Sequence, residues 1–288
     1  MERIISAKSI SKEIGGTTIL KDISFDVSKN ERIAILGANG AGKSTLLNII
    51  SGVYGVNHGE IYIPNGLKKA MIFQKSILDK ELTVFENLKH RLGDKKEFKR
   101  AINLIKKSDV LNDPSQLYGS LSGGQKRAVD VIRVIAMNPN LLLMDEATTG
   151  MDVEARKDFW NNVNKYCNNK NNSLIYTTHY REEIRYATRI IFLNKGQIIF
   201  DGSSEDFISK IPKVKVYIEK PDLTEDSLIF SENGFKNDED CYTQTFTSSN
   251  LALDKLNYLR QMGCNFEFRV EEATLNDFFS IILNGRTD

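Results

Sequence analysis

Cysteine is scarce. The 288 residues contain three, Cys167, Cys241 and Cys264, set far apart. An odd, widely spaced trio makes no disulfide framework and has no metal-ligand spacing, so a reducing compartment is expected. Charge of one sign is missing too: Lys and Arg number 39 against 38 Asp and Glu, a formal net charge of +1. Near-neutrality argues against a general nucleic-acid binder. Long apolar runs are also absent. Nothing approaches the roughly 18 consecutive apolar residues of a spanning helix, and Leu141–Met144 and Ile190–Leu193 are only strand-sized. Met1–Ile10 lacks the apolar stretch of a signal peptide and carries Lys8 inside it. A membrane process served by this protein would need another chain to cross the bilayer.

What is present is ordinary for a globular protein, with 41% apolar and 27% charged residues. The length suits one large domain, or one plus a smaller one, at about 150 residues each. Short strands are expected over Ile4–Ile10, Ile23–Val27 and Arg32–Leu36, then a helix over Lys43–Ser51 with Gly52 as its stop. A strand follows at Ala70–Phe73. Residues 82–118 turn helical, with eight basic residues between 89 and 107 (Lys89, Arg91, Lys95, Lys96, Lys99, Arg100, Lys106, Lys107) against Asp94 and Glu97.

After Leu121 strands and helices alternate, with buried strands at Leu141–Met144, Leu174–Tyr176 and Ile190–Leu193 and a surface loop at Asn168–Ser173. Such alternation predicts an α/β fold with a mainly parallel sheet. Composition shifts near 212. Val214, Val216 and Ile218 alternate as in a strand, acidic loops follow, and then come a helix (Leu251–Met262), a strand (Phe266–Val270) and a closing helix (Leu275–Leu283). The expected division is 1–211, with a helical subdomain over about 82–135, and a small α+β domain over 212–288.

Three motifs carry chemistry. Gly37-Ala38-Asn39-Gly40-Ala41-Gly42-Lys43-Ser44, with Thr45 behind it, fits G-x-x-x-x-G-K-[ST]. Glycines let the backbone wrap phosphates with N–H groups pointing inward, and the following helix adds its dipole. Lys43 would meet β- and γ-phosphates, and the Ser44 hydroxyl Mg²⁺. About 100 residues on, Leu141–Met144 ends in Asp145-Glu146. Asp145 would hold Mg²⁺, directly or through water, and Glu146 would act as general base on the attacking water. Third, Leu121-Ser122-Gly123-Gly124-Gln125 precedes a helical pattern with Ser122 placed as N-cap.

In this order the motifs resemble those of ATP-binding-cassette (ABC) ATPases. Gln74 falls at that family's Q-loop position, Thr149-Gly150-Met151-Asp152 resembles its D-loop, and His179 after Thr177-Thr178 its switch histidine. The resemblance covers roughly residues 1–210 and implies the P-loop NTPase cassette fold. It also implies a nucleotide sandwich, in which the P-loop of one subunit and Ser122, Gly123, Gly124 and Gln125 of another enclose each ATP, with Asp152 alongside. His179 would contact the γ-phosphate, and Gln74 would join the metal site to the membrane partner. Two positions depart from the family: Ile14 stands where an aromatic residue usually stacks on adenine, and Ala147 replaces the proline after the catalytic glutamate. The second could loosen that turn.

A cassette without spans resembles one subunit of a transporter, docked on a separate permease at the inner face of the membrane, in the cytoplasm, and paired with a second ATPase subunit. The segment Gly196–Gly202 resembles the strand pair closing such cassettes. Val270–Phe279 resembles the ending of ABC-2-type exporters, which move drugs, peptides, lipids or polysaccharides. The basic cluster could attract anionic headgroups or an acidic coupling helix, or be a solvated face. The alternatives are a soluble ABC ATPase acting on ribosomes or DNA and a non-hydrolysing nucleotide sensor. With one cassette, and 46 residues between Gln74 and Leu121, there is no room for a coiled-coil arm. Intact Lys43, Asp145, Glu146 and His179 speak against the sensor.

Overall fold

The computed structural model describes residues 2–107, 111, 113–170, 172–219, 224–238, 240–274 and 277–279. Contacts divide the chain into two units, Met1–Ser203 and Ser204–Asp288. The first unit runs β1 (Arg3–Ile14), β2 (Thr17–Ser28), β3 (Arg32–Leu36), α1 (Lys43–Ser51), β4 (His58–Tyr62), β5 (Lys69–Ile72), α2 (Val84–Arg91), α3 (Lys95–Lys106), α4 (Gly123–Ala136), β6 (Leu141–Asp145), α5 (Val153–Lys170), β7 (Ser173–Thr177), β8 (Arg189–Asn194) and β9 (Gln197–Ser203).

Its main sheet has the order β5-β6-β7-β3-β8-β9. All neighbours are parallel except β9, which returns antiparallel to β8. Every residue of β6 and β7 is buried, which is why these strands read as continuous apolar runs rather than alternating ones. A separate antiparallel sheet, β2-β1-β4, flanks the chain's start. Its full length escapes the sequence pattern because β1 is bulged: its register shifts around Ile10, beside Ser9 at φ 47°, and a bulge breaks the period of two.

Capping sets the helix starts. Thr83 and Glu86 form a capping box on α2, Asp94 caps α3, and Ser122 with Gln125 forms a second box on α4. Helix α1 ends at Gly52, left-handed at φ 90°. All eight basic side chains between 89 and 107 are exposed, and two are tied to backbone: Arg91 Nη2 donates to Ile77 O (2.8 Å) and Arg100 Nε to Ala136 O (2.8 Å). The loop expected at Asn168–Ser173 is shorter than its polarity suggests. Helix α5 runs to Lys170, while Asn172 and Ser173 are buried, Asn172 N donating to Cys167 O and Ser173 Oγ accepting from Asn30 N.

The second unit begins ahead of the expected 212, with α6 (Ser204–Lys210), whose Phe207 packs edge-on against Phe278. Then follow β10 (Val214–Glu219), α7 (Thr224–Glu232), β11 (Lys236–Asn237), β12 (Cys241–Phe246), α8 (Ser249–Gln261) and β13 (Phe268–Glu272). The order β11-β12-β10-β13 is that of a split β-α-β-β-α-β fold. Val216 and Ile218 on β10, Phe230 on α7, and Ala252, Leu256 and Leu259 on α8 share its core. Of the closing helix expected at Leu275–Leu283, only Asp277–Phe279 falls within the described residues. The three cysteines are free, and burial pushes the Cys167 thiol up to about 11. Among the described residues no helix is long and apolar enough to cross a membrane.

Candidate functional site

Four adjacent strands, β5, β6, β7 and β3, end on the same edge of the parallel sheet. Gln74 lies two residues past the end of β5, Asp145 and Glu146 at the end of β6, Thr177–His179 at the end of β7, and Gly37 just past β3. Carboxyl ends of parallel strands are where such sheets present their sites.

The loop after β3 needs its glycines. Gly37 and Gly42 sit at φ 149° and 102°. A Cβ on Gly37 would strike the Leu193 carbonyl oxygen, and one on Gly42 would lie 2.6 Å from Leu20 Cδ2. Ala38, Asn39 and Gly40 form an exposed rim, closed by Ala41 N donating to Ala38 O (3.1 Å). Gly42 caps α1 without any side-chain bond, so the helix start offers bare N–H groups to an anion. Thr45 is half-buried in the first turn. Lys43 is only 6% exposed, and its Nζ donates to Gly37 O (2.9 Å) and Ala38 O (3.1 Å). Burial lowers its pKa, with Glu146 and Asp145 opposing that shift.

Ser44 Oγ donates to Asp145 Oδ1 (3.0 Å), and Thr177 Oγ1 donates to the same oxygen (2.7 Å). Thr177 Oγ1 in turn accepts from Glu146 N (2.8 Å). Glu146 is left-handed at φ 41°, a conformation that costs a non-glycine residue about 1–3 kcal/mol and persists only where its surroundings impose it. Around its carboxylate lie Gln74 Nε2 (3.3 Å), Thr149 Oγ1 (3.5 Å), His179 Nδ1 (3.8 Å) and Lys43 Nζ (3.9 Å). Gln74 therefore meets the expected base; its hydrogen bond does not go to Ser44 or Asp145.

Ser122, Gly123, Gly124, Gln125 and Asp152 lie at two helix starts, those of α4 and α5. Ser122 Oγ accepts from Gln125 N (3.2 Å), Gln125 Oε1 accepts from Ser122 N (3.0 Å), and Asp152 Oδ1 accepts from Ala155 N (2.8 Å) at the start of α5. A Cβ on Gly124 would touch Ala155 Cβ at 3.8 Å, so the two helix starts are neighbours. The Lys43 and Ser44 side chains bond instead to Gly37, Ala38 and Asp145.

The family model described as ABC transporter matches residues 20–149. A linearmycin resistance ATP-binding protein of Bacillus subtilis (strain 168) is 31% identical over 224 residues, covering 72% of each chain. The chain belongs to the ABC transporter ATP-binding family. A spermidine/putrescine import ATP-binding protein of Clostridium novyi is also 31% identical over 224 residues; the match covers 73% of this chain but 65% of that relative's length. Among solved structures, a dimeric ATP-binding cassette in a post-hydrolysis state bound to ADP and Pi superposes with TM-score 0.62 at 26% identity. It covers 69% of this chain and 98% of its own.

The oxygens of this ABC cassette fit Mg²⁺. The Ser44 hydroxyl and the Asp145 carboxylate are hard donors one hydrogen bond apart, and Mg²⁺ is usually bound by one or two such groups plus phosphates and water. No group of three or more His, Cys, Asp or Glu that could hold a metal ion exists among the described residues. Ile14, where the family's aromatic residue would stand, ends β1 opposite Thr17 and is 44% exposed. The turn at Ala147 is firmly held: Ala147 is buried, its carbonyl accepts from Arg127 Nε, and Thr149 N donates to Glu146 O (3.1 Å). Sequence reasoning missed Thr177 as the bridge between Asp145 and Glu146. Its only signal was a threonine closing an apolar run beside His179.

Proposed function

We propose that this cassette binds ATP with Mg²⁺, hydrolyses it between two chains, and uses the cycle to drive a separate membrane permease. The reading is carried by the convergence of Lys43, Ser44, Asp145 and Glu146 beside a helix start that no side chain caps. Ser44 and Asp145 would hold Mg²⁺, which would supply neutralising charge to the phosphate oxygens. Lys43 turns its ammonium from the Gly37 and Ala38 carbonyls to the γ-phosphate. Glu146 takes a proton from water as the water oxygen bonds to the γ-phosphorus. The bond to the bridging oxygen breaks and its electron pair leaves with ADP. His179 steadies the γ-phosphate beside Glu146.

Ser122–Gln125 and Asp152 act on the nucleotide of the second chain, a reading supported by the likeness to a dimeric cassette. The protein then lies at the inner face of the membrane through its permease. We read the direction as export of the ABC-2 type, on the Val270–Phe279 ending and the likeness to a resistance protein. The relative named for polyamine import favours uptake as the second reading. Transport by the cassette–permease pair in inside-out vesicles separates the two, since export appears there as accumulation.

Phosphate release by the purified chain tests the chemistry. Release should require ATP and vanish when EDTA removes Mg²⁺. Release that persists in EDTA contradicts the metal site, and none at any protein concentration contradicts the hydrolytic reading.

A further inference from the structure

Arg127 sits one turn into α4, behind Ser122–Gln125, and is 8% exposed. Its guanidinium spans two segments of the site. Nη1 donates to Phe73 O (2.7 Å), Nη2 to Gln74 O (3.3 Å), and Nε to Ala147 O. The first two carbonyls carry the segment that brings Gln74 to Glu146; the third belongs to the residue after Glu146. Burial disfavours the cation and lowers its pKa, while Asp130 Oδ2 at 3.6 Å opposes that shift. A buried cation is retained only where partners compensate its lost hydration. Here three carbonyl oxygens and a carboxylate do so.

The planar fork matters. Guanidinium presents five donors in fixed directions from three nitrogens, whereas an ammonium donates from a single nitrogen on a flexible stem. Neighbouring contacts brace the same face of α4: Arg133 Nη2 donates to Met71 O (3.1 Å), and Asp130 Oδ1 accepts from Ser76 Oγ (3.0 Å). Helix α4 is therefore bonded to the β5 end at Met71, Phe73, Gln74 and Ser76. Arg127 alone among these side chains also reaches the turn at Glu146.

We propose that Arg127 is a positioning residue for hydrolysis. It holds Gln74 and the Glu146–Ala147 turn in one arrangement and ties that arrangement to the helix that begins with Ser122–Gln125. Resting on the two-chain reading above, this makes α4 the link by which nucleotide on the second chain sets the geometry of this chain's own base. Arg127 spends its donors on the Phe73, Gln74 and Ala147 carbonyls and on Asp130, so its loss should spare binding and slow turnover.

The test compares full-length wild type, Arg127→Gln and Arg127→Lys. Active sites are counted by stoichiometric ATP binding, so that any unfolded fraction drops out. The expected result for Arg127→Gln is kcat per binding site lowered about 10- to 100-fold, the scale on which small misplacements act. KM and the ATP Kd should stay within about twofold, and the Hill coefficient for ATP should fall toward one. Arg127→Lys keeps the charge beside Asp130 and should recover part of the rate. Unchanged kcat per site in Arg127→Gln overturns the proposal, as does a loss seen in Kd rather than kcat. Wild type without ATPase activity would instead defeat the hydrolytic reading itself, so the two failures are distinguishable.

Discussion

Glu146→Gln is expected to bind ATP normally, to stay dimeric with ATP bound, and to hydrolyse it about 10²–10⁴-fold more slowly, the range assigned to a positioned general base. The substitution is nearly isosteric and leaves untouched the groups proposed to meet phosphate and metal: Lys43 on Gly37 O and Ala38 O, Ser44 on Asp145, and Thr177 on Asp145. What it removes is the carboxylate's capacity to take a proton, at the point where Gln74, Thr149 and His179 converge. The backbone of residue 146 should remain in place, since its N–H is held by Thr177 Oγ1 and its carbonyl by Thr149 N. Single-turnover phosphate release and size-exclusion chromatography with ATP give the readout. Undiminished turnover refutes the assignment of the base.

Lys43→Ala should act on the opposite side of the kinetics, by losing the nucleotide. The lysine is nearly buried, and burial lowers its pKa despite the help of Glu146 and Asp145, so its ammonium is held where an incoming phosphate finds little water to displace. Losing a hydrogen bond to a charged group costs about 1.5–3 kcal/mol. Weakening of ATP binding by about 10- to 150-fold is therefore expected, at 1.4 kcal/mol per factor of ten. Isothermal titration at fixed Mg²⁺ measures it. Binding unchanged from wild type would mean that Lys43 does not meet the phosphates.

The chemistry of the site was legible because it is written in local order. Lys43 and Ser44 follow their glycines directly, Asp145 and Glu146 close an apolar run, and Ser122 stands as N-cap before a helical pattern. The parallel sheet was legible for a similar reason, as strands buried on both faces leave unbroken apolar runs. Residues that act across the sheet were not. Thr177 reaches Asp145 only because β7 lies beside β6, and Arg127 reaches Phe73, Gln74 and Ala147 only because α4 lies over the end of β5. Neither adjacency has a signature in nearby residues. Polarity misled at Asn168–Ser173, where α5 extends through asparagines that look like loop, and α6 joined the second unit through Phe207 rather than by any change in composition. The Ala147 turn, expected to be loosened without its proline, is held by a guanidinium that no reading of the turn itself could supply.

The central claim is that Gly37–Thr45 and Ser122–Gln125 of one chain serve different nucleotides, so that a reaction centre needs two chains. The specific rate of phosphate release, measured across a dilution series spanning the monomer–dimer transition, tests this most directly. The rate per chain should climb with protein concentration and level off once dimers dominate. A rate per chain that stays at its full value in a strictly monomeric solution would contradict it.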